Sequence, residues 1–344
     1  MQRILIVDDS PLIRRLLGDL IGAEPDLDVV GFASDGNEAV EKVRELRPDV
    51  VTMDVEMPEC SGLEALRRIM RTTPIPVLMV SSLTSAGARE SVEALQCGAF
   101  DIIAKPSQGP AELARVRDEL LQKIRAAKFA HVRPTAYAPA PPARRPTSGT
   151  LYDPTRVVLI ASSTGGPRAL TTLFESLPSD LPVPLLIVQH MPPGFTESLA
   201  QRLTRCGSMP CREARSGEGL APGTALIAPG GQHLAIDSRG NLNLNEAPPI
   251  HGVRPSADTL FSTAAKTYGS RCVGLVLTGM GRDGADGAVA LRGAGAVVLG
   301  ESESTCTIYG MPRAAKAAGG IDAEYPIHEM ADALTLILSG ARAA

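Results

Sequence analysis

Tryptophan is absent from this chain of 344 residues, and aromatic residues make up only 3% of it. Leucine, valine, isoleucine and alanine must therefore fill its interior. Cysteines are few: six, at positions 60, 97, 206, 211, 272 and 306, with no C-x-x-C pair. That excludes a disulfide framework and leaves reduced, mostly buried thiols as the expectation. The five histidines, at 131, 190, 233, 251 and 328, make no zinc-ligand spacing with them. A basic surplus is also missing, since 34 Lys and Arg face 38 Asp and Glu for a net charge of -4. Nothing here attracts nucleic acid in general, so a DNA-binding output domain is not expected. No apolar run approaches the roughly 20 residues that span a bilayer. The opening MQRILIVDD reads as a strand, without the h-region and cleavage site of a signal peptide. The expectation is a cytoplasmic protein with no direct membrane insertion.

What is present is an ordinary globular balance, 44% hydrophobic and 21% charged, in a chain long enough for two cores. Five short β-branched runs, RILIV, VVGFA, DVVTMD, PVLMVSS and DIIAK, alternate with helical periodicity over residues 1–125. Ser10 and Pro11 look like an N-cap and first helical position, with Leu12, Ile13, Leu16, Leu17, Leu20 and Ile21 as the buried face that follows. Five βα repeats predict a flavodoxin-like, doubly wound parallel sheet. Residues 126–152 hold five prolines between 134 and 146 and read as a semi-extended tether. From residue 153 to 344 the alternation resumes with VVLIASS, PLLIVQH, TALIAPG, CVGLVLTG and AVVLG. This second domain is expected to be a mostly parallel, doubly wound α/β sheet.

In such sheets functional residues gather at the carboxyl ends of the strands. Asp8 and Asp9 follow the first strand, Asp54 ends the third, Ser81 ends the fourth and Lys105 ends the fifth. Carboxylates this close repel unless a hard cation joins them, and Mg²⁺ suits oxygen ligands of this kind. Asp54 could then act as a nucleophile toward a phosphoryl group, with Lys105 neutralising its oxygens. The bland alternative makes Asp8 and Asp9 helix caps and Lys105 a solvated loop residue. Five compatible residues at four strand ends weigh against it, and "VDD", "DVEMP" and "KP" resemble the motifs of the receiver domain of two-component response regulators. That resemblance implies Asp54 as phosphoacceptor, Asp8, Asp9, Asp54 and the Glu56 carbonyl as Mg²⁺ ligands, Ser81 as switch hydroxyl, and Lys105 as phosphate contact. It implies a histidine kinase as phosphodonor. One departure is Ile102, where receivers commonly carry an aromatic that rotates on activation.

The second domain opens with LIASSTGGP, a strand dropping into hydroxyls and glycines. A serine on such a turn can present its Oγ to solvent beside backbone N–H groups and a helix N-terminus. Ser163 is the better nucleophile of the pair, because Ser162 is a strand residue one step earlier. The base would be His190, at the end of the next strand, with His233 and His251 as rivals. The orienting acid would be Asp283, with Asp286 as a rival better suited to capping the next helix. A nucleotide-binding reading of STGGP and GMGRDG is weak, because neither is a P-loop and GMGRDG, although its glycines fit G-x-G-x-x-G, is a lone Gly-rich loop.

SSTGGP, VQHMPPGFT, APGG.H, RPSAD.LF, LTGMGRDGADG and YGMPRAA resemble successive motifs of the chemotaxis protein-glutamate methylesterase (CheB) family. With a receiver and tether, the likeness covers nearly the whole chain. It implies Ser163, His190 and Asp283 as nucleophile, base and partner acid, and the Met280 N–H as an oxyanion donor. Thr164 is a second candidate donor. It implies hydrolysis of glutamate γ-methyl esters on the cytoplasmic helices of chemoreceptors, with glutamine deamidation as a second activity and no cofactor for hydrolysis. The receiver is expected to cover the Ser163 cleft until Asp54 is phosphorylated. Two rivals are a catalytically dead, phosphorylation-controlled adaptor and a DNA-binding regulator. The complete triad set opposes the first, and the acidic charge and α/β second domain oppose the second.

Overall fold

The computed structural model describes residues 1–82, 84–105, 110–131 and 152–340. The chain divides into two compact units, 1–137 and 138–344. In the first, β1 (Gln2–Val7), α1 (Pro11–Gly22), β2 (Leu27–Ala33), α2 (Gly36–Leu46), β3 (Val50–Asp54), α3 (Gly62–Thr72), β4 (Val77–Ser81), α4 (Ser85–Gln96), β5 (Asp101–Ala104) and α5 (Pro110–Ala127) alternate strictly. The strands form one parallel sheet in the order β2-β1-β3-β4-β5. Ile4 and Ile6, Leu78 and Val80, and Ile103 bury one sheet face under Leu17 and Ile21 of α1 and Leu120 and Ile124 of α5. Local chemistry starts the helices where polar residues stand before them. Asp35 accepts from the N–H groups of Asn37 and Glu38 at the start of α2, and Ser61 accepts from Glu64 at the start of α3.

Two details of α1 differ from expectation. Ser10 occupies the cap position, but its side chain makes no capping bond; its N–H donates instead to Asp8 Oδ1 at 2.9 Å. Leu12 is 74% exposed, because the buried stripe runs through Leu17 and Ile21, with Ile13 packed on the same core one turn earlier and Leu12 to its side. The helix α5 runs to Ala127, two residues into the expected tether, and residues 132–151 of that tether lie outside the described residues.

The second unit contains β6 (Val157–Ser162), α6 (Gly166–Ser176), β7 (Leu185–Gln189), α7 (Phe195–Cys206), β8 (Cys211–Glu213), β9 (Ala225–Ile227), β10 (His233–Ile236), β11 (Leu242–Asn245), α8 (Ala257–Tyr268), β12 (Cys272–Val276), α9 (Ala285–Gly293), β13 (Val297–Glu301), α10 (Met311–Ala317), β14 (Ala323–Tyr325) and α11 (Ile327–Leu338). Seven strands form a parallel sheet ordered β14-β13-β12-β6-β7-β9-β8, while β10 and β11 make a separate antiparallel hairpin. From β6 the chain builds outward through β7, then returns to the other side of β6 with β12. This reversal makes β6/β12 the topological switch point, where a crevice opens beyond the carboxyl ends of the strands. The core below it is aliphatic as the composition requires, with Leu159, Val188, Leu226, Val276 and Val298 fully buried.

Candidate active site

The turn after β6 is shaped by two glycines. Gly165 has φ of +80°, and a Cβ there would fall 2.3 Å from Thr307 Oγ1. Gly166 opens α6, and a Cβ on it would fall 2.0 Å from Gln189 Oε1. Glycine is thus required at both positions, and Pro167 fixes the first helical turn. The result leaves Ser163 half-buried at the N-terminal end of α6, while Ser162 is fully buried and donates to Gln189 Oε1 at 2.7 Å. Across the switch point, the Ser163 N–H donates to Thr278 O at 3.0 Å, so the turn is tied to the end of β12. Gly279 packs directly behind Ser163, since a Cβ there would fall 2.8 Å from Ser163 Cβ and 2.3 Å from Met311 Sδ. The carbonyl of Gly279 accepts from Gly310 and Met311, which curls the next residue outward. Among the described residues, the Met280 N–H has no backbone partner.

His190 follows β7, the strand beside β6, and its own N–H donates to Ser162 O at 3.1 Å. Its Nε2–H donates to Asp283 Oδ2 at 2.8 Å. Nδ1 is thereby left as the basic nitrogen. No hydrogen bond joins Ser163 Oγ to His190 in this state. Asp283 is 2% exposed yet saturated with donors: Ser256 Oγ at 2.6 Å and the Asp258 N–H at 3.2 Å on Oδ1, and the Ala257 N–H at 2.6 Å on Oδ2 beside His190. Burial pushes this carboxyl up, but the His190 bond and charge, with the Ser256 and Ala257 bonds, outweigh it and hold it at about 2. The α8 N-terminus, with Ser256 as its cap residue, is thus closed by a carboxylate from another element.

The rivals are engaged elsewhere. His233 is buried, with Nδ1 accepting from the Ser256 N–H at 3.1 Å and Nε2 on Pro248 O at 3.2 Å. His251 contacts Asp258 at 3.1 Å, and Asp286 forms an exposed pair with Arg282 at 2.8 Å. Thr164 is buried, and its carbonyl accepts from Thr278 Oγ1 at 3.0 Å. Reasoning from sequence missed Ser256 and Ala257. RPSAD did carry an N-cap signal, with no acid three residues on to close the cap.

At the edge of the first unit, Asp54 and Ser81 end β3 and β4, Asp8 follows β1 and Lys105 follows β5. The Lys105 ammonium lies 2.7 Å from Asp54 Oδ2 and 3.0 Å from Asp8 Oδ2, and the Lys105 backbone N–H donates to Ser81 O. Burial raises the Asp54 carboxyl to about 6 against the pull of Lys105, with the Asp8 charge adding to the rise. Lys105 is also raised: burial opposes its charge, but Asp54 and Asp8 together outweigh that. Single oxygens of Asp8, Asp9 and Asp54 all lie within 4.8 Å of one another. Among the described residues, buried Asp8 Oδ2 has the Lys105 ammonium at 3.0 Å and no other hydrogen-bond partner. A hard cation suits that oxygen set and that under-satisfied atom. Glu56 is exposed, and its N–H donates to Asp54 Oδ1 at 3.3 Å. Gly62 lets α3 approach β3, because a Cβ there would fall 1.8 Å from Asp54 O.

Fold and clusters together define a class: a phosphoacceptor-type module joined to an α/β domain with a serine-hydrolase arrangement at its switch point. Residues 4–117 match the response regulator receiver domain model, and residues 158–334 match the CheB methylesterase model. A protein-glutamate methylesterase/protein-glutamine glutaminase of Symbiobacterium thermophilum is 46% identical over 97% of this chain and 96% of its own length. The like-named protein of Thermotoga maritima is 43% identical over 96% and 97%. The crystal structure of the Thermotoga maritima CheB methylesterase catalytic domain is 39% identical with a TM-score of 0.52, covering 53% of this chain and 98% of that one. The chain belongs to the CheB methylesterase family, with a response regulator receiver at its N-terminal end.

Proposed function

We propose that this protein hydrolyses glutamate γ-methyl esters on the cytoplasmic helices of chemoreceptors, deamidates receptor glutamines at the same site, and is activated by phosphorylation of its receiver. The observation that carries the reading is Asp283, saturated and ionised, bonded to His190 beside the Ser163 turn. His190 Nδ1 takes the Ser163 proton as Oγ adds to the γ-carbonyl. The developing oxyanion is met by the Met280 N–H and the amide dipoles opening α6, with Thr164 as a further donor; one such donor is worth about 3 kcal/mol. His190 returns the proton to the departing methoxide oxygen, or to the amide nitrogen of a glutamine, so methanol or ammonia leaves and the glutamyl group remains as an ester on Ser163. Water, activated by the same imidazole, then releases the glutamate. These steps use side chains and backbone alone. Asp283 keeps the ring in one tautomer and stabilises the imidazolium without taking the proton.

In the receiver, Asp54 is the phosphoacceptor, and Asp8, Asp9, Asp54 and the Glu56 carbonyl would hold Mg²⁺. When bound, that ion neutralises phosphoryl oxygens. Lys105 contacts the phosphoryl group, and Ser81, bonded through its backbone to Lys105, is placed to sense it. A histidine kinase supplies the phosphate, and occlusion of the Ser163 cleft by the unphosphorylated receiver restrains the enzyme. No helix among the described residues is long and apolar enough to cross a membrane, in keeping with action on receptors from the cytoplasm.

The test is methanol release from methylated receptor membranes by wild type, Ser163→Ala and Asp54→Ala, with and without a small phosphodonor. Activity should rise with the donor, vanish in Ser163→Ala, and lose only its stimulation in Asp54→Ala. Unchanged release by Ser163→Ala would move the nucleophile elsewhere. A protein lacking residues 1–150 that is no faster than the unphosphorylated full chain would rule out occlusion.

A further inference from the structure

The nucleophile and the base stand at the ends of neighbouring strands, and their separation is set by whatever fixes one strand end to the other. Ser162 and Gln189 are register partners on β6 and β7, so their side chains emerge side by side from the same face. Gln189 is 1% exposed. Its Nε2 lies 2.9 Å from Ser163 O and 3.1 Å from His190 O, and its Oε1 accepts from Ser162 Oγ at 2.7 Å. Two carbonyl oxygens can be satisfied only by the NH₂ end of the amide, so chemistry dictates its orientation. One carboxamide thus spends both N–H groups on the backbone of the two residues that must exchange a proton.

The surroundings are built for this group. Gly166 leaves the space that its oxygen occupies, since a Cβ there would sit 2.0 Å from Oε1. Ser162 supplies the hydroxyl that anchors the oxygen, which gives the first serine of the SS pair a role distinct from attack. The carbonyl of Ser163 also accepts from the Gly166 N–H at 2.7 Å, so the same oxygen ties the turn to the start of α6. Neither Ser162 nor Gln189 can reach substrate, being buried beneath the turn.

We infer that Gln189 is a positioning residue: its carboxamide staples the Ser163 turn to the His190 backbone and sets the nucleophile-to-base geometry. This rests on Ser163 and His190 having the roles given above. The consequence is chemical as well as geometric. Replacing the amide with a carboxylate would set negative oxygen against two carbonyl oxygens, whereas a protonated acid can donate to one of them.

The experiment uses the full chain with phosphodonor, measuring methyl-ester hydrolysis against pH for wild type, Ser163→Ala, Gln189→Met and Gln189→Glu. Gln189→Met keeps the length of the side chain and loses both donors; kcat is expected to fall about 10- to 100-fold, the scale of an ångström-sized misplacement, with KM within about twofold. Gln189→Glu should lose as much at high pH and recover part of its kcat as pH falls. The wild type has no titratable group at this position and gives no such recovery. A purely structural role would lower thermal stability and leave the pH profile of the folded protein parallel to wild type. Wild-type kcat in Gln189→Met, or a parallel profile in Gln189→Glu, would overturn the inference. Should Gln189→Met fail to fold, Gln189→Glu decides alone, because one protein is compared with itself at two pH values. Activity surviving in Ser163→Ala would instead sink the assignment of the nucleophile, a result distinguishable from either outcome at Gln189.

Discussion

Two buried aspartates occupy equivalent places in the two units, at or near the carboxyl end of a parallel strand, and their environments are opposite. Asp54 faces one ammonium and one weak N–H at 3.3 Å, lies near two other carboxylates, and is raised to about 6. Asp283 receives four donors and is held at about 2. The same topology therefore yields two kinds of carboxylate. One is left short of partners and invites a cation and a phosphoryl group; the other is saturated, stays ionised, and can only orient. How many donors converge decides which, more than burial, since both side chains are almost fully enclosed.

The largest expected effect comes from erasing the saturated charge. Asp283→Asn preserves volume but offers the His190 ring an ambiguous partner, so kcat on methyl-ester substrate should fall by about 10³- to 10⁴-fold, read from initial rates. The next concerns stability, and here the two aspartates should differ in sign. A carboxyl raised in the folded state contributes stability below about pH 4 that is lost as pH rises through 6. Above that, with magnesium chelated, ionised Asp54 costs the receiver about 3 kcal/mol. Asp54→Asn should thus raise the thermal midpoint at pH 7 by several degrees. Asp283, depressed to about 2, contributes stability present above pH 4 and lost only as pH falls through 2, so Asp283→Asn should lower the midpoint at pH 7. Midpoints that moved the same way would break the contrast.

Removing one donor tests it more finely. Ser256→Ala deletes the 2.6 Å bond to Asp283 and should cost about 10-fold in kcat, the scale of one hydrogen bond to a charged group, with KM little changed. The smallest effect should follow Asp286→Ala, which breaks only the exposed pair with Arg282. Stability should move by less than about 0.5 kcal/mol in a urea titration and kcat by less than about twofold.

Much of this was readable beforehand, for physical reasons. Ten strands announced themselves because parallel strands covered on both faces are continuous apolar runs. β8 (CRE) and β14 (AEY) did not, being three-residue edges whose composition carries no such signal. The hairpin of β10 and β11 was hidden because HLAI and LNLN gain their identity from pairing across a loop. Residues that do chemistry stood out as polar types at strand ends. Gln189, a polar residue at the end of β7, is visible in the same way although its partners are not; Ser256 is hidden, because it acts through Asp283, 27 residues away in the chain. The exposed Leu12 fits the same pattern, since periodicity gives a helix face but not which of its flanking rows the core covers.

The helix start that Asp283 closes has one more consequence. Amides in the first turn of a helix normally open to solvent most often, because nothing in the helix bonds them. Here those amides, at Ala257 and Asp258, are bonded to Asp283, the partner of His190, so a movement of Asp283 that frees them also releases His190. Hydrogen exchange at these two sites would count, one opening at a time, how often the folded protein loosens its hold on the His190 ring.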